Sequence, residues 1–254
     1  MLIAAIIQAR MGSTRLPGKV MADLRGQPLV DRVVGRARQA ASLDAVVVAT
    51  SDHASDDILA AHCAARAIPC FRGSQDDVLD RYYRAAEQTE ATVVVRLTAD
   101  CPMLDPGVID RVVATFRSGG FDYVSNVLEP SYPDGLDVEV FGRKALDRAW
   151  REAALRSDRE HVTPFIWRQP DRFRLGSERH AEDLSALRWT VDEPQDLEFV
   201  RRVYQRLDPE RFDMADVLAV LRDCPDLAAL NRGFNRNEGY QKSLREDGAV
   251  SKGA

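Results

Sequence analysis

Three cations share one short stretch near the start of the chain. Arg10, Arg15 and Lys19 lie in QARMGSTRLPGK, residues 8–19, directly after the apolar run LIAAII at residues 2–7. The chain carries 35 Lys plus Arg but only four lysines, at 19, 144, 242 and 252. A lysine among so many arginines points to a selected geometry, because a compact ammonium acts as a point charge on one phosphate group. Guanidinium forks hold phosphate oxygens bidentately, and glycines let backbone N–H groups approach an anion. With Gly12, Ser13 and Gly18 beside the cations, the stretch reads as a phosphate-binding loop in preference to a solvated charged turn. It is not GxGxxG, which argues against a dinucleotide dehydrogenase. Five residues separate Gly12 from Gly18, and Val20 follows Lys19, so it is not a P-loop either.

Two acids stand where a metal bound to such phosphates needs oxygen ligands. Asp100 follows the apolar run ATVVVRLT at 91–98, and Asp192 follows LRWTV at 187–191. Paired carboxylates beside a basic loop suit Mg²⁺-assisted phosphoryl or nucleotidyl transfer. Each has a plainer alternative: Asp100 as a turn former before Cys101-Pro102, and Asp192 or Glu193 as a helix cap ahead of Pro194. Arg72 and Arg81 in FRGSQDDVLDRY, and Ser51-Asp52, fall near strand ends and could line a nucleotide pocket. Asp137 and Glu139 alternate along LDVEVF, so both point to one face, and His161 in REHVTPF is either a substrate contact or a hydrogen-bonded, half-buried histidine.

The elements that must position these groups alternate in type. Continuous β-branched runs at 2–7, 44–50 and 91–98 suit strands buried on both faces, and IPCF at 68–71 reads as a shorter one. Between them lie helical patterns at 29–37, within 56–67 and within 76–88, with another opening at Asp105-Pro106. This is the βαβ order of a Rossmann-like α/β fold, a mostly parallel sheet with helices on both faces. In such sheets ligands bind beyond the carboxyl ends of the strands, where the opening loop and Asp100 both fall. Past residue 120, strands FDYVSN and LDVEVF, helices at 142–153 and about 158–168, strands FRLGS and LRWTV, and a helix from DEPQDLEFVRRVY make an acceptor-side flap on the same sheet. We expect one domain over residues 1–230, its nucleotide part at about 1–120 and its flap at about 121–190. A polar tail, 231–254, has an end expected to be mobile or tied to a partner subunit.

Composition excludes several classes. A net charge of −5 argues against a broad nucleic-acid footprint. No apolar run is long enough to span a bilayer, and the first strand lacks the basic flank of a signal peptide, so a cytoplasmic protein is expected. The cysteines at 63, 70, 101 and 224 form no metal-binding or disulfide pattern. Amphipathic helices make a homodimer the expected assembly.

Six segments in order, QARMGSTRLPGK, FRGSQDDVLDRYY, RLTADCPMLDP, YPDGLDVEVF, REHVTPF and LRWTVDEPQDL, resemble the spore coat polysaccharide biosynthesis protein F group of the acylneuraminate cytidylyltransferase family. The resemblance runs from residue 1 to about 240. It implies a fold of the nucleotide-diphospho-sugar transferase type and transfer of CMP from CTP, with Mg²⁺, to a sugar acid or related surface-polysaccharide precursor, releasing pyrophosphate. It also implies that Arg10, Gly12, Ser13, Arg15 and Lys19 form the triphosphate site, that Asp100 and Asp192 hold Mg²⁺, and that Arg72 and Arg81 lie near the nucleotide. Asp137, Glu139 and His161 fall on the acceptor side. Gln8 replaces the proline usual in the sialic acid and ketodeoxyoctonate synthetases, and their sugar-carboxylate segments have no counterpart here. The rival readings are a nucleotide-sugar-dependent glycosyltransferase, disfavoured because Pro102 interrupts a D-x-D motif, and a non-catalytic nucleotide-binding module.

Overall fold

The computed structural model describes residues 1–234, 236 and 238–250, without the side chains of 248–250. Seven strands form one sheet in the order β3-β2-β1-β4-β6-β5-β7. β1 (Ile3–Gln8), β2 (Ala45–Ser51), β3 (Cys70–Gly73) and β4 (Val93–Thr98) are mutually parallel. β6 (Glu139–Gly142) runs antiparallel to β4 on one side and to β5 (Tyr123–Ser125) on the other, and β7 (Leu175–Ser177) pairs parallel with β5. The mixed sheet with helical cover is the α/β arrangement expected from the sequence.

The strand alternation divides the core in two. Ile3, Ala5 and Ile7 pack with α1 (Leu29–Ala37), α4 (Pro106–Ser118) and α8 (Pro194–Tyr204). Ala4 and Ile6 face the other way, onto α3 (Val78–Gln88), α5 (Arg143–Glu152) and α7 (Pro164–Trp167). Both faces of β1 are therefore buried, as its unbroken apolar run requires. α2 (Asp57–Ala65) covers the β2–β3 edge. α6 (Arg156–His161), α9 (Met214–Asp223) and α10 (Glu238–Val250) complete the cover among the described residues.

Several expectations need correction. LRWTV is not a strand; it is a loop tied by a single bridge, Asp134 to Arg188. Its apolar residues Trp189 and Val191 are buried, but in the core beneath the site and not in a sheet register. The single helix expected at about 158–168 is two, because Val162 turns to a φ of 73° and Pro164 starts a new helix. The third strand begins at Cys70 and not at Ile68. Within the polar tail a helix, α10, packs against α6, while the tail's last residues, 251–254, lie outside the described residues.

Candidate active site

The parallel strands end in loops along one edge of the sheet. The loop after β1 is braced from inside: the Ser13 and Gly18 amides both donate to the Met11 carbonyl, at 2.9 and 3.0 Å, and the Leu16 amide donates to Ser13 Oγ at 3.3 Å. Gly18 takes a φ of 72°, a conformation that suits glycine and turns Lys19 inward at the start of a short 3₁₀ turn. Buried Asp56 anchors the loop to its neighbour. Its Oδ1 accepts from the Met11 amide at 2.7 Å, while Oδ2 takes the Ser51 amide at 3.1 Å and the Ser51 hydroxyl. Burial opposes ionisation of Asp56, but these donors outweigh it and its pKa lies below the usual 3.8.

Lys19 is 8% exposed and meets both predicted metal ligands. Its Nζ donates to Asp100 Oδ2, Asp192 Oδ1 and the Val191 carbonyl, each at 2.8 Å. An ammonium has three donors, and these partners use all of them. Burial lowers the pKa of Lys19, but the two carboxylates more than offset it and the net shift is upward from 10.5. Asp100, whose burial alone would raise it, is held at about 2 by the Lys19 charge. The backbone locks the same pair together, since the Val191 amide donates to the Asp100 carbonyl at 2.8 Å.

Asp192 is free for this role because it is not the helix cap. Glu193 caps α8, in a reciprocal box with Asp196. Arg188 then organises the acids: its guanidinium reaches Asp134 at 3.1 Å, Asp192 at 3.1 Å and Asp196 at 3.0 Å. Asp196 is fully buried and also accepts from the amides of Asp192 and Glu193 at 2.9 Å.

Two cavities open on either side of this cluster. The larger, about 820 Å³, is lined by Arg10, Ser13, Arg15, Lys19, Asp100 and Asp192, and by residues of α6 and α10. Arg10 is exposed at its mouth. The smaller, about 510 Å³, is lined by Asp134, Asp137, Glu139, His161, Thr163 and Thr190 among others. Arg15 borders both and pairs with Asp192 at 3.1 Å, Glu193 at 3.3 Å and Glu238 at 2.9 Å.

In the smaller cavity each guanidinium is matched to an acid. Arg96 pairs with Glu139 directly across the β4–β6 register, and Glu139 Oε1 accepts the Tyr123 and Thr163 hydroxyls at 2.6 Å. Asp137 pairs with Arg236, which itself lines the larger cavity, and Arg188 and Arg15 both pair with Asp192. Burial and the neighbouring Asp137 push Asp134 up to about 7. Burial, and the charge of Arg96 after it, bring His161 down to about 4, so its ring is neutral near pH 7. The ring lies 3.0 Å from Ser243 Oγ of α10.

Gly12, Ser51, Asp52, Arg72 and Arg81, all singled out in the sequence, fall outside both linings. Gly12 is exposed at the turn. The Arg72 guanidinium is engaged by the Ser51 and His53 carbonyls and by Asp57 at 2.7 Å. Arg81 is fully buried, donates to the Ser74 carbonyl at 3.1 Å, and its Nε and Nη2 have no partner among the described residues. Asp56 and Arg188, which sequence reasoning passed over, hold the site in shape. Neither belongs to a motif: each ties near neighbours in sequence to a distant segment, Arg188 joining Asp192 and Asp196 to Asp134, and Asp56 joining Ser51 to Met11.

Comparison with known proteins decides the family. The cytidylyltransferase sequence profile matches residues 4–223. The chain belongs to the cytidylyltransferase family. This cytidylyltransferase is 38% identical over 235 residues to the spore coat polysaccharide biosynthesis protein SpsF of Bacillus subtilis, covering 89% of this chain and 96% of the relative. A cytidylyltransferase structure from Leptospira borgpetersenii superposes with a TM-score of 0.86 at 28% identity, covering 93% of this chain and all of that one. The fold is also that of a CMP:2-keto-3-deoxy-manno-octonic acid synthetase solved with CTP, with a TM-score of 0.64 at 21% identity, covering 82% of this chain and all of that one. The chain is thus a nucleotidyltransferase that uses CTP. Among the described residues no helix is long and apolar enough to cross a membrane.

Proposed function

We propose that the protein transfers CMP from CTP to a hydroxyl of a sugar acid or a related surface-polysaccharide precursor, releasing pyrophosphate. The observation that carries this reading is the Lys19 ammonium, held between Asp100 and Asp192 on the floor of a cavity rimmed by Arg10, Ser13 and Arg15. The triphosphate occupies the larger cavity and the acceptor the smaller. Arg15, bordering both, stands where the α-phosphate must be.

In this mechanism the acceptor oxygen attacks the α-phosphorus in line, the α–β bridging bond breaks, and pyrophosphate carries away the negative charge. Arg10, Arg15 and Lys19 stabilise charge on the phosphate oxygens, an effect large in a site shielded from water. Lys19 is already fixed by its three partners, so little reorganisation is needed as charge develops. Asp134, with its pKa near neutrality, is suited to accept the acceptor hydroxyl's proton or to hydrogen-bond a neighbouring hydroxyl.

The donor set fits Mg²⁺. Asp100 and Asp192 present hard carboxylate oxygens on two sides of Lys19 Nζ, each 2.8 Å from it, and among the described residues no group of three or more acids, histidines or cysteines gathers for a metal. Two carboxylates completed by phosphate oxygens and water are what this ion ordinarily takes. Bound by Asp100 and Asp192, Mg²⁺ would neutralise triphosphate charge and polarise the α-phosphoryl group.

The direct test is pyrophosphate release from CTP and Mg²⁺ with a panel of sugar acids and sugar phosphates, with ATP, GTP and UTP as controls. Acceptor-dependent release specific to CTP establishes the reaction. Release with UTP or ATP in place of CTP, or none with any acceptor, overturns it.

A further inference from the structure

The larger cavity has a second wall to which the chemistry above gives no role. Glu238, Gly239, Gln241, Lys242, Arg245 and Glu246 of α10 all line it. Their spacing is that of one helical face. The adjoining face fixes the rotation of the helix. The Tyr240 ring packs edge-on against His161 and Trp167, with centroids 5.2 and 5.7 Å apart. Ser243 Oγ lies 3.0 Å from His161 Nε2 and donates to Glu160 at 3.1 Å, and the Ser157 amide donates to Asp247 at 3.2 Å. With that side anchored, the polar face is aimed into the cavity opposite Arg10 and Lys19.

That face carries two lightly engaged cations. Lys242 is 71% exposed, and its nearest acid is Glu246 at 3.9 Å, beyond hydrogen-bond reach. Arg245 Nε donates to the Gln241 carbonyl of its own helix at 3.2 Å. Across the gap, the Glu238 carboxylate of the same helix sits 2.9 Å from Arg15, so an anionic group already occupies a cation of the opening loop.

We infer that α10 is the second wall of the triphosphate site, with Lys242 and Arg245 binding the β- and γ-phosphates that leave as pyrophosphate. This rests on reading the larger cavity as the CTP site. A chain carrying several negative charges through this cavity meets Arg10 and Lys19 from one side and the helix cations from the other. The phosphates displace the Glu238 carboxylate from Arg15 as they enter.

The test is calorimetric titration of the full-length protein and its Lys242→Gln/Arg245→Gln variant with CTP, pyrophosphate and CMP. Both side chains are exposed, so the variant keeps its fold. The dissociation constants for CTP and pyrophosphate are expected to rise roughly tenfold or more, as when charge-assisted hydrogen bonds are lost. CMP, lacking the outer phosphates, is expected to bind within about twofold of the parent, and Lys242→Arg/Arg245→Lys restores most of the loss. Unchanged CTP and pyrophosphate binding in the double variant overturns the inference while leaving the CTP reading intact. An equal loss for CMP also overturns it, since the helix then acts only as scaffolding. Failure of the parent protein itself to bind CTP overturns both.

Discussion

Lys19 and Asp192 lie 173 residues apart in the chain and 2.8 Å apart in the fold. The ammonium brings together the opening loop, the turn after β4 and the start of α8. Replacing it with methionine keeps the length of the stem and removes the charge. Pyrophosphate release by Lys19→Met is expected to fall at least about 100-fold. Near-normal turnover would remove Lys19 from the chemistry.

Asp100→Asn retains the shape of that side chain and a hydrogen-bond acceptor for Lys19. On the proposed Mg²⁺ role it raises the Mg²⁺ concentration needed for half-maximal turnover and lowers the maximal rate by about 100-fold. A titration of rate against Mg²⁺ that superposes on that of the parent would count against the carboxylate as a ligand.

Arg188→Met leaves Asp196 buried without its guanidinium. Breaking a buried pair from one side costs about 3–5 kcal/mol, so a large fall in unfolding free energy is expected from denaturant titration. Asp192 loses a partner as well, and turnover should fall with stability. A variant as stable as the parent would show that Asp196 is satisfied by the Asp192 and Glu193 amides and the Asn231 side chain.

His161 makes stability depend on mild acid. Its folded pKa of about 4 lies below the ordinary 6.5, so between these values the unfolded chain binds the proton more readily. The His161 contribution to stability is therefore full above pH 6.5 and declines as pH falls toward 4, by up to about 1.4 kcal/mol per pH unit, while Asp134, raised to about 7, contributes in the opposite sense across the same range. The difference in melting temperature between the parent and His161→Gln should change across that range, the parent losing relatively more toward acid. A constant difference would assign the acid sensitivity to other groups.

Gly135 lets one loop pass close beneath another. At a φ of 110°, a Cβ there would lie 2.6 Å from the Thr190 amide nitrogen. Gly135→Ala combines backbone strain with overpacking against main chain, and a loss of about 2–5 kcal/mol is expected in denaturant unfolding. Unchanged stability would mean that the 133–135 turn can move away from Trp189 freely.

The half of the sheet with β1, β2 and β4 was legible because doubly buried parallel strands are continuous apolar runs. LRWTV carries apolar alternation for a different reason: Trp189 and Val191 fill the core beneath the site while Arg188 faces the acids, so burial mimics a strand. α10 escaped detection because it docks through Tyr240, Ser243 and Asp247, by ring contacts and hydrogen bonds, and not along an apolar stripe. In the site, Arg10, Ser13, Arg15 and Lys19 were recognisable as a dense local group. Asp100 and Asp192 were visible at expected strand ends, the first correctly placed and the second at the end of a loop. Arg72 and Arg81 could not be judged from sequence, since whether a guanidinium is available depends on carbonyls brought beside it by folding.

The reversed direction of β6 has a consequence for how such an enzyme can diversify. Every other strand delivers to the working edge the residues that follow it, whereas β6 delivers those that precede it, and so Asp137 and Glu139 reach that edge on the way in. The parallel and antiparallel parts of the sheet thus meet at the β4–β6 seam, joined across it by Arg96 and Glu139, and on the proposed reading this seam divides the nucleotide from the acceptor. Residues 127–130 lie outside the sheet register and none of them is buried, whereas Tyr132, Leu136 and Val138 are buried and Asp134 and Gly135 pack against the 187–190 loop. On the proposed division of the site, Val127 and Leu128, which line the smaller cavity, are where exchange is expected to alter the acceptor with least disturbance to the Lys19 cluster.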